Sequence, residues 1–307
     1  MLTTWRMVRR PLVLCGALVA FVRCDSAGDR TGQADTTLAP PVGAVESLPS
    51  GDPVGRWESS AGTLLLVRDD SLARAIYPTV KQLDSTAVLD EDVVRGFIAD
   101  AVSADGAAGS ARIRGFAALD EECAVWPVVT LTSDSLRSWT VAFQRGAATP
   151  IALQPIESLA SADSARLAAQ LTRLAASLPN DTSRVFHGLP FTIRGAHRMA
   201  EGARESVVAE IVRRLNVEAN PREETLLLIA EREDPAGEWR VVYSERASGS
   251  ELDVQRATAL AAVKLGPDGR PTLVIERTGA DWITYAFIQR QPGGAWRETW
   301  ESAYSGC

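Results

Sequence analysis

The apolar run TLLLIAER at residues 225–232 returns in shorter form as TLVIER at 272–277, and more faintly as TLLLVRDD at 63–70. Runs of this length, bounded by turn residues, predict strands. Further strands are expected at residues 111–117, 125–131, 138–144, 190–194, 238–245, 257–265, 282–290 and 295–304. The loops GPDGRP (266–271) and QPGG (291–294) have hairpin length, so the last third reads as a β-meander. The stretch ESVVAEIVRRLN (205–216) suits both a helix and a strand, and reads as strand because it aligns with residues 257–265 when the two runs are superposed.

Thr225 and Thr272 lie 47 residues apart, and a Trp-led strand follows each run, EWRVVYSER and DWITYAFIQR. A period of this size suits a β-propeller blade. The segment LGPDGRPTLVIER also resembles an FG-GAP-type propeller repeat. In that family several acids of the loop bind calcium, whereas here Asp268 stands alone and Gly266 occupies the place of another acid. One helix is clear: in SADSARLAAQLTRLAASLPND (161–181), Leu167, Leu171, Leu174 and Leu178 share a face and Pro179 ends the run. A second helix is expected in EDVVRGFIADAV (91–102), where Val94, Phe97 and Ile98 are apolar. The fold expected is therefore α+β, mainly antiparallel sheet ending in a C-terminal meander, with at least one packed amphipathic helix. A partial or irregular propeller is the alternative.

At the N-terminus, Arg6, Arg9 and Arg10 precede PLVLCGALVAFV (11–22), which is too short to span a bilayer and has the length of a signal-peptide core. Cys24 closes this core and opens a polar segment, an order that resembles a bacterial lipoprotein precursor. Phe21, Val22 and Arg23 stand where that family has an aliphatic and two small residues. The resemblance implies acylation of Cys24 and residence in the cell envelope, lipid-anchored and facing the periplasm. Asp25 resembles the inner-membrane retention signal of some bacteria. Residues 25–55, rich in Gly, Pro, Ser, Thr and Ala, read as a disordered tether. The expected division is then a signal peptide (1–24), the tether (25–55), an N-terminal α+β region (56–200) and the meander (201–307). Loss of the signal removes four arginines and no acid, taking the formal charge from −7 to −11. That charge argues against nucleic acid as a partner.

Catalytic signatures are absent from the sequence: it has no phosphate loop, GxSxG, HExxH or CxxC. With only His187 and His197, no metal site or cofactor is expected. The acidic groups Glu121-Glu122, Glu223-Glu224 and Asp90-Glu91-Asp92 read as solvated surface, because neighbours on a strand point to opposite faces. Aromatic residues are the remaining lead. Trp296, Trp300 and Tyr304 share a strand face by period two, as do Trp239 and Tyr243, forming either core or a binding face. The functional expectation is a non-catalytic envelope protein, a scaffold or binding module for a protein or glycan; the alternative is an envelope hydrolase working through carboxylates on a glycan or peptide.

Cys15 leaves with the signal and Cys24 is consumed by lipid, so Cys123 and Cys307 are expected to pair in an oxidising compartment. The loop they close is long, and the chain-entropy model allows about 5 kcal/mol for it. One mass-spectrometric experiment checks both modifications. The mature N-terminus should be acylated Cys24, and alkylation before reduction should find neither Cys123 nor Cys307. A peptide reading unmodified through Arg23-Cys24 would remove the lipid anchor, and two alkylated thiols would remove the bridge.

Overall fold

The computed structural model describes residues 64–76, 91–117, 126–132, 136, 138–179, 184–216, 220–302 and 305–306, all within the compact unit Val42–Cys307. The architecture is mostly antiparallel β. Six strands come first: β1 (Leu65–Asp69), β2 (Leu72–Ile76), β3 (Ile98–Ser103), β4 (Gly106–Phe116), β5 (Val128–Thr132) and β6 (Val141–Gln144). They close a barrel in the order β1-β2-β5-β4-β3-β6, in which every pairing is antiparallel and β1 meets β6. Closure leaves no strand edge open. The β1–β2 turn places Asp70 at φ 52°, a left-handed conformation that aspartate tolerates better than most residues.

Beyond the barrel the chain builds two sheets by turns. First come β7 (Ala148–Ile151) and β8 (Gln154–Pro155), then the helix at Ser161–Ser177 and eight long strands. The strands are β9 (Thr192–Glu201), β10 (Arg204–Leu215), β11 (Arg222–Arg232), β12 (Arg240–Ser250), β13 (Arg256–Leu265), β14 (Arg270–Thr278), β15 (Trp282–Arg290) and β16 (Trp296–Glu301). A two-residue strand, β17 (Ser305–Gly306), pairs with β15. One sheet has the order β12-β11-β10-β9-β8, and the other β16-β15-β14-β13-β7. Here these are called the outer and inner sheets.

Side chains fix the layering. Leu167, Leu171 and Ala175 of the helix pack on Val207, Ala209, Ile211, Leu226 and Leu228 of the outer sheet. The opposite face of that sheet, with Val208, Leu227 and Ile229, meets Leu273, Ile275, Ala286 and Ile288 of the inner sheet. The inner sheet turns Ala261, Val263, Val274 and Phe287 toward the barrel, where Phe143 and Phe287 lie 6.3 Å apart by ring centroid. The order is helix, outer sheet, inner sheet, barrel. In a propeller the outer faces of a blade pair are covered by further blades; here they are covered by a helix and a barrel. The expected strands at 225–232 and 272–277 are the cores of β11 and β14, each the middle of three consecutive antiparallel strands.

The second helix is corrected. Only α1 (Glu91–Val94) forms, and β3 begins at Ile98. Gly96 adopts φ 85°, which ends the helix, and the following residues bury Ala99, Ala101 and Val102 on strand rather than helical spacing. The helix at Ser161–Ser177, α2, holds as expected and gives way to Leu178 in extended conformation before Pro179. Because Leu171 is fully buried beneath α2, Leu171→Ala should cost about 3 kcal/mol through lost transfer energy and the cavity left behind. Urea denaturation checks it; a loss below about 1 kcal/mol would mean that α2 is not held by its apolar face.

Candidate functional site

The aromatic residues do not form one face. Trp296 is buried between the sheets and its Nε1 donates to Glu231 at 2.7 Å, while Trp300 packs on Phe287 at 4.6 Å on the barrel side. The cause is a register shift between Phe287 and Ile288, which leaves Thr299 as an extra residue in β16 and inverts the alternation after it. Trp239 is buried in the core beneath α2 with the Arg232 guanidinium 4.7 Å from its ring centroid, whereas Tyr243 faces the other way and donates to Glu245 at 3.0 Å. Tyr304, Cys24, Cys123 and Cys307 lie outside the described residues, as do Asp90, Glu121 and Glu122. His187 is exposed. His197 is half-buried, and burial lowers its pKa against the opposing charge of Glu157.

Glu223 and Glu224 are also corrected: both are fully buried. Alternation sends them to opposite faces of β11, and arginines meet them on each. On the inner side Glu223 binds Arg194 and Arg214, both at 2.5 Å, and Arg194 also reaches Glu210. On the helix side Glu224 binds Arg213, whose guanidinium lies 4.7 Å from the centroid of Phe191, and Arg246 approaches at 3.5 Å. Buried carboxylates survive only when paired in this way. Across the sandwich, Glu231 takes Arg290 and Trp296. Arg277, itself buried, binds Glu245, Glu298 and Glu301 at 2.6 Å each. The Glu223 and Glu224 clusters tie strands within the outer sheet, and those of Glu231 and Arg277 join the outer sheet to the inner one.

A cleft of about 280 Å³ opens where α2 leaves the outer sheet. One wall is the face of α2 bearing Asp163, Arg166, Leu167 and Gln170, which recur at the spacing of successive turns. The floor is Arg198 of β9 and Arg232 of β11, and Leu159, Pro235 and Trp239 complete the lining. The two floor arginines stand in neighbouring rows, because Arg198 pairs with Val207 and Arg232 with Glu205, two residues apart on β10. Arg232 is fixed: its Nε donates to Glu205 at 2.7 Å and its plane rests on Trp239. The lining thus holds three guanidiniums and one carboxylate, Asp163, which is exposed and lies 3.4 Å from Arg166.

Comparison of the chain with protein-family models, curated proteins and solved structures finds no match. Sequence reasoning missed every floor residue of the cleft, because Arg198 and Arg232 are brought together by strand pairing rather than by spacing. Only the wall on α2 carries a local signal, polar residues at one-turn intervals beside the buried leucines.

The buried carboxylate of Glu223 yields a pH prediction. Burial alone would raise it, but hydrogen bonds from Arg194 and Arg214, with their charges, outweigh this and hold it below its usual value of 4.5. A carboxyl depressed in the folded state contributes stability above its unfolded pKa and loses it as pH falls through the folded value. Glu223→Gln should therefore destabilise the protein strongly at pH 7 and much less near pH 3, in urea titrations run at both. An equal loss at the two pH values would show that the charge is not what matters.

Proposed function

We propose that the chain is an exported, lipid-anchored envelope protein that acts as a non-catalytic binding module, and that the cleft between α2 and the outer sheet receives its ligand, a group presented by an envelope protein or glycan. One observation carries this reading: three guanidiniums and a single paired, exposed carboxylate line a concave space whose walls are held by the core. Glycoside hydrolysis through carboxyls requires two of them facing one bond, and the lining supplies one. Elsewhere Glu245, Glu298 and Glu301 do gather, but around Arg277, which donates to all three, while Tyr243 and Gln255 also donate to Glu245 and Thr284 to Glu301. The tether expected at residues 25–55 supports the same reading, since such a segment after a lipidated cysteine would hold the folded part off the membrane.

A fragment screen by saturation-transfer NMR tests the proposal on the wild type and on Gln170→Trp, a substitution on the α2 wall chosen to fill the cleft. Bound fragments should be lost in the variant, by about tenfold or more in affinity, and recovered chemically unchanged from the wild type. Fragments that bind both proteins equally, or that are converted to product, would overturn it.

A further inference from the structure

The chemistry of the cleft also specifies its ligand, an inference that rests on the cleft being the binding site proposed above. Of the three arginines that line it, two have a carboxylate partner within the chain: Arg166 has Asp163 and Arg232 has Glu205. Arg198 differs. It is half-buried, meets no carboxylate among the described residues, and makes one side-chain hydrogen bond, donating from Nη2 to the amide oxygen of Gln154 at 3.5 Å. That distance lies beyond the usual range for N–H donation to oxygen. A guanidinium has five N–H donors and does not lose its proton, so most of this donor capacity and all of its charge remain without a counterpart among the described residues.

Two neighbouring features shape the site around it. Arg232 cannot swing away, being held between Glu205 and Trp239. The N-terminus of α2 adjoins the cleft through Leu159 and Asp163, and its N-cap, Ala160, offers no side-chain acceptor to the first-turn N–H groups. The chain as a whole is acidic, at −7, so the one charge left over at Arg198 does not reflect overall charge. A flat oxyanion meets such an arrangement in a two-point fork with the guanidinium, a contact that an ammonium would not shape.

We infer that the ligand bears a carboxylate or phosphate group, bound by Arg198 at the floor of the cleft, with a small uncharged remainder in the space beside it. The volume suits one small group or ring rather than an extended chain.

Benzoate, phenyl phosphate and uncharged benzamide, titrated separately into the complete protein, test this by calorimetry and by the Nε–H resonances of arginine. One or both anions should bind while benzamide does not; benzoate alone identifies a carboxylate ligand and phenyl phosphate alone a phosphate. Arg198→Ala should weaken anion binding about tenfold or more, the loss expected for a charge-assisted hydrogen bond. Because that side chain is half-buried, Gln154→Glu is a second variant: it keeps the guanidinium but supplies an internal counter-charge, and should weaken the anion similarly, whereas Gln154→Ala should not. Benzamide binding as tightly as the anions, or anion affinity unchanged in both Arg198→Ala and Gln154→Glu, would overturn the inference. Neutral fragments displaced by Gln170→Trp, with no response to either anion, would overturn the anionic ligand alone and leave the cleft reading standing. Absence of any binding sensitive to Gln170→Trp would overturn both.

Discussion

The inner sheet is buried on both faces, and the rest of the architecture follows from that constraint. A strand covered on one side alternates apolar with polar residues, whereas a strand covered on both reads as an unbroken apolar run. This explains why nearly the same words recur. In β14, Leu273 and Ile275 point to the outer sheet and Val274 to the barrel; in β11, Leu226 and Leu228 point to α2 and Leu227 to the inner sheet. Aligned from their threonines, the two runs send equivalent residues in the same direction, so the layers stack head to tail.

Double burial also dictates where charge goes. A carboxylate at the end of such a strand is still beneath a neighbouring layer, so Glu223, Glu224 and Glu231 each carry arginine with them. These are structural clusters, saturated with partners. The cleft is the contrast: Arg198, half-buried on its floor, meets no carboxylate among the described residues. Comparing the two kinds of arginine separates scaffold from candidate site more clearly than counting charges does.

Much of this was legible in the sequence, and the failures have local physical causes. Long doubly buried strands, two hairpin loops and the leucine stripe of α2 announced themselves, because their signals lie within ten residues. The segment at 91–102 misled because Val94, Phe97 and Ile98 mimic helical spacing across a glycine that reverses the chain. The pairing of Trp296 with Trp300 failed because a bulge at Thr299 adds one residue to a period of two, which no residue type marks. The barrel was missed as a whole, since closure depends on β1 finding β6 across more than seventy residues. The floor of the cleft was invisible for the same reason.

The connection of β7 to β8 has an implication for how the chain is assembled. These neighbours in sequence enter different sheets, and β7 waits for β13, so that Ile151 pairs with Ala262 only after the whole outer sheet has been made between them. The outer sheet with its helix is thus an excursion nested inside the inner one. During synthesis the barrel can close early, while its apolar flank around Phe143 stays uncovered until β13 to β15 emerge. Such late, long-range pairing slows folding and exposes sticky surface meanwhile. The last strands to arrive are therefore also those that seal the barrel's flank.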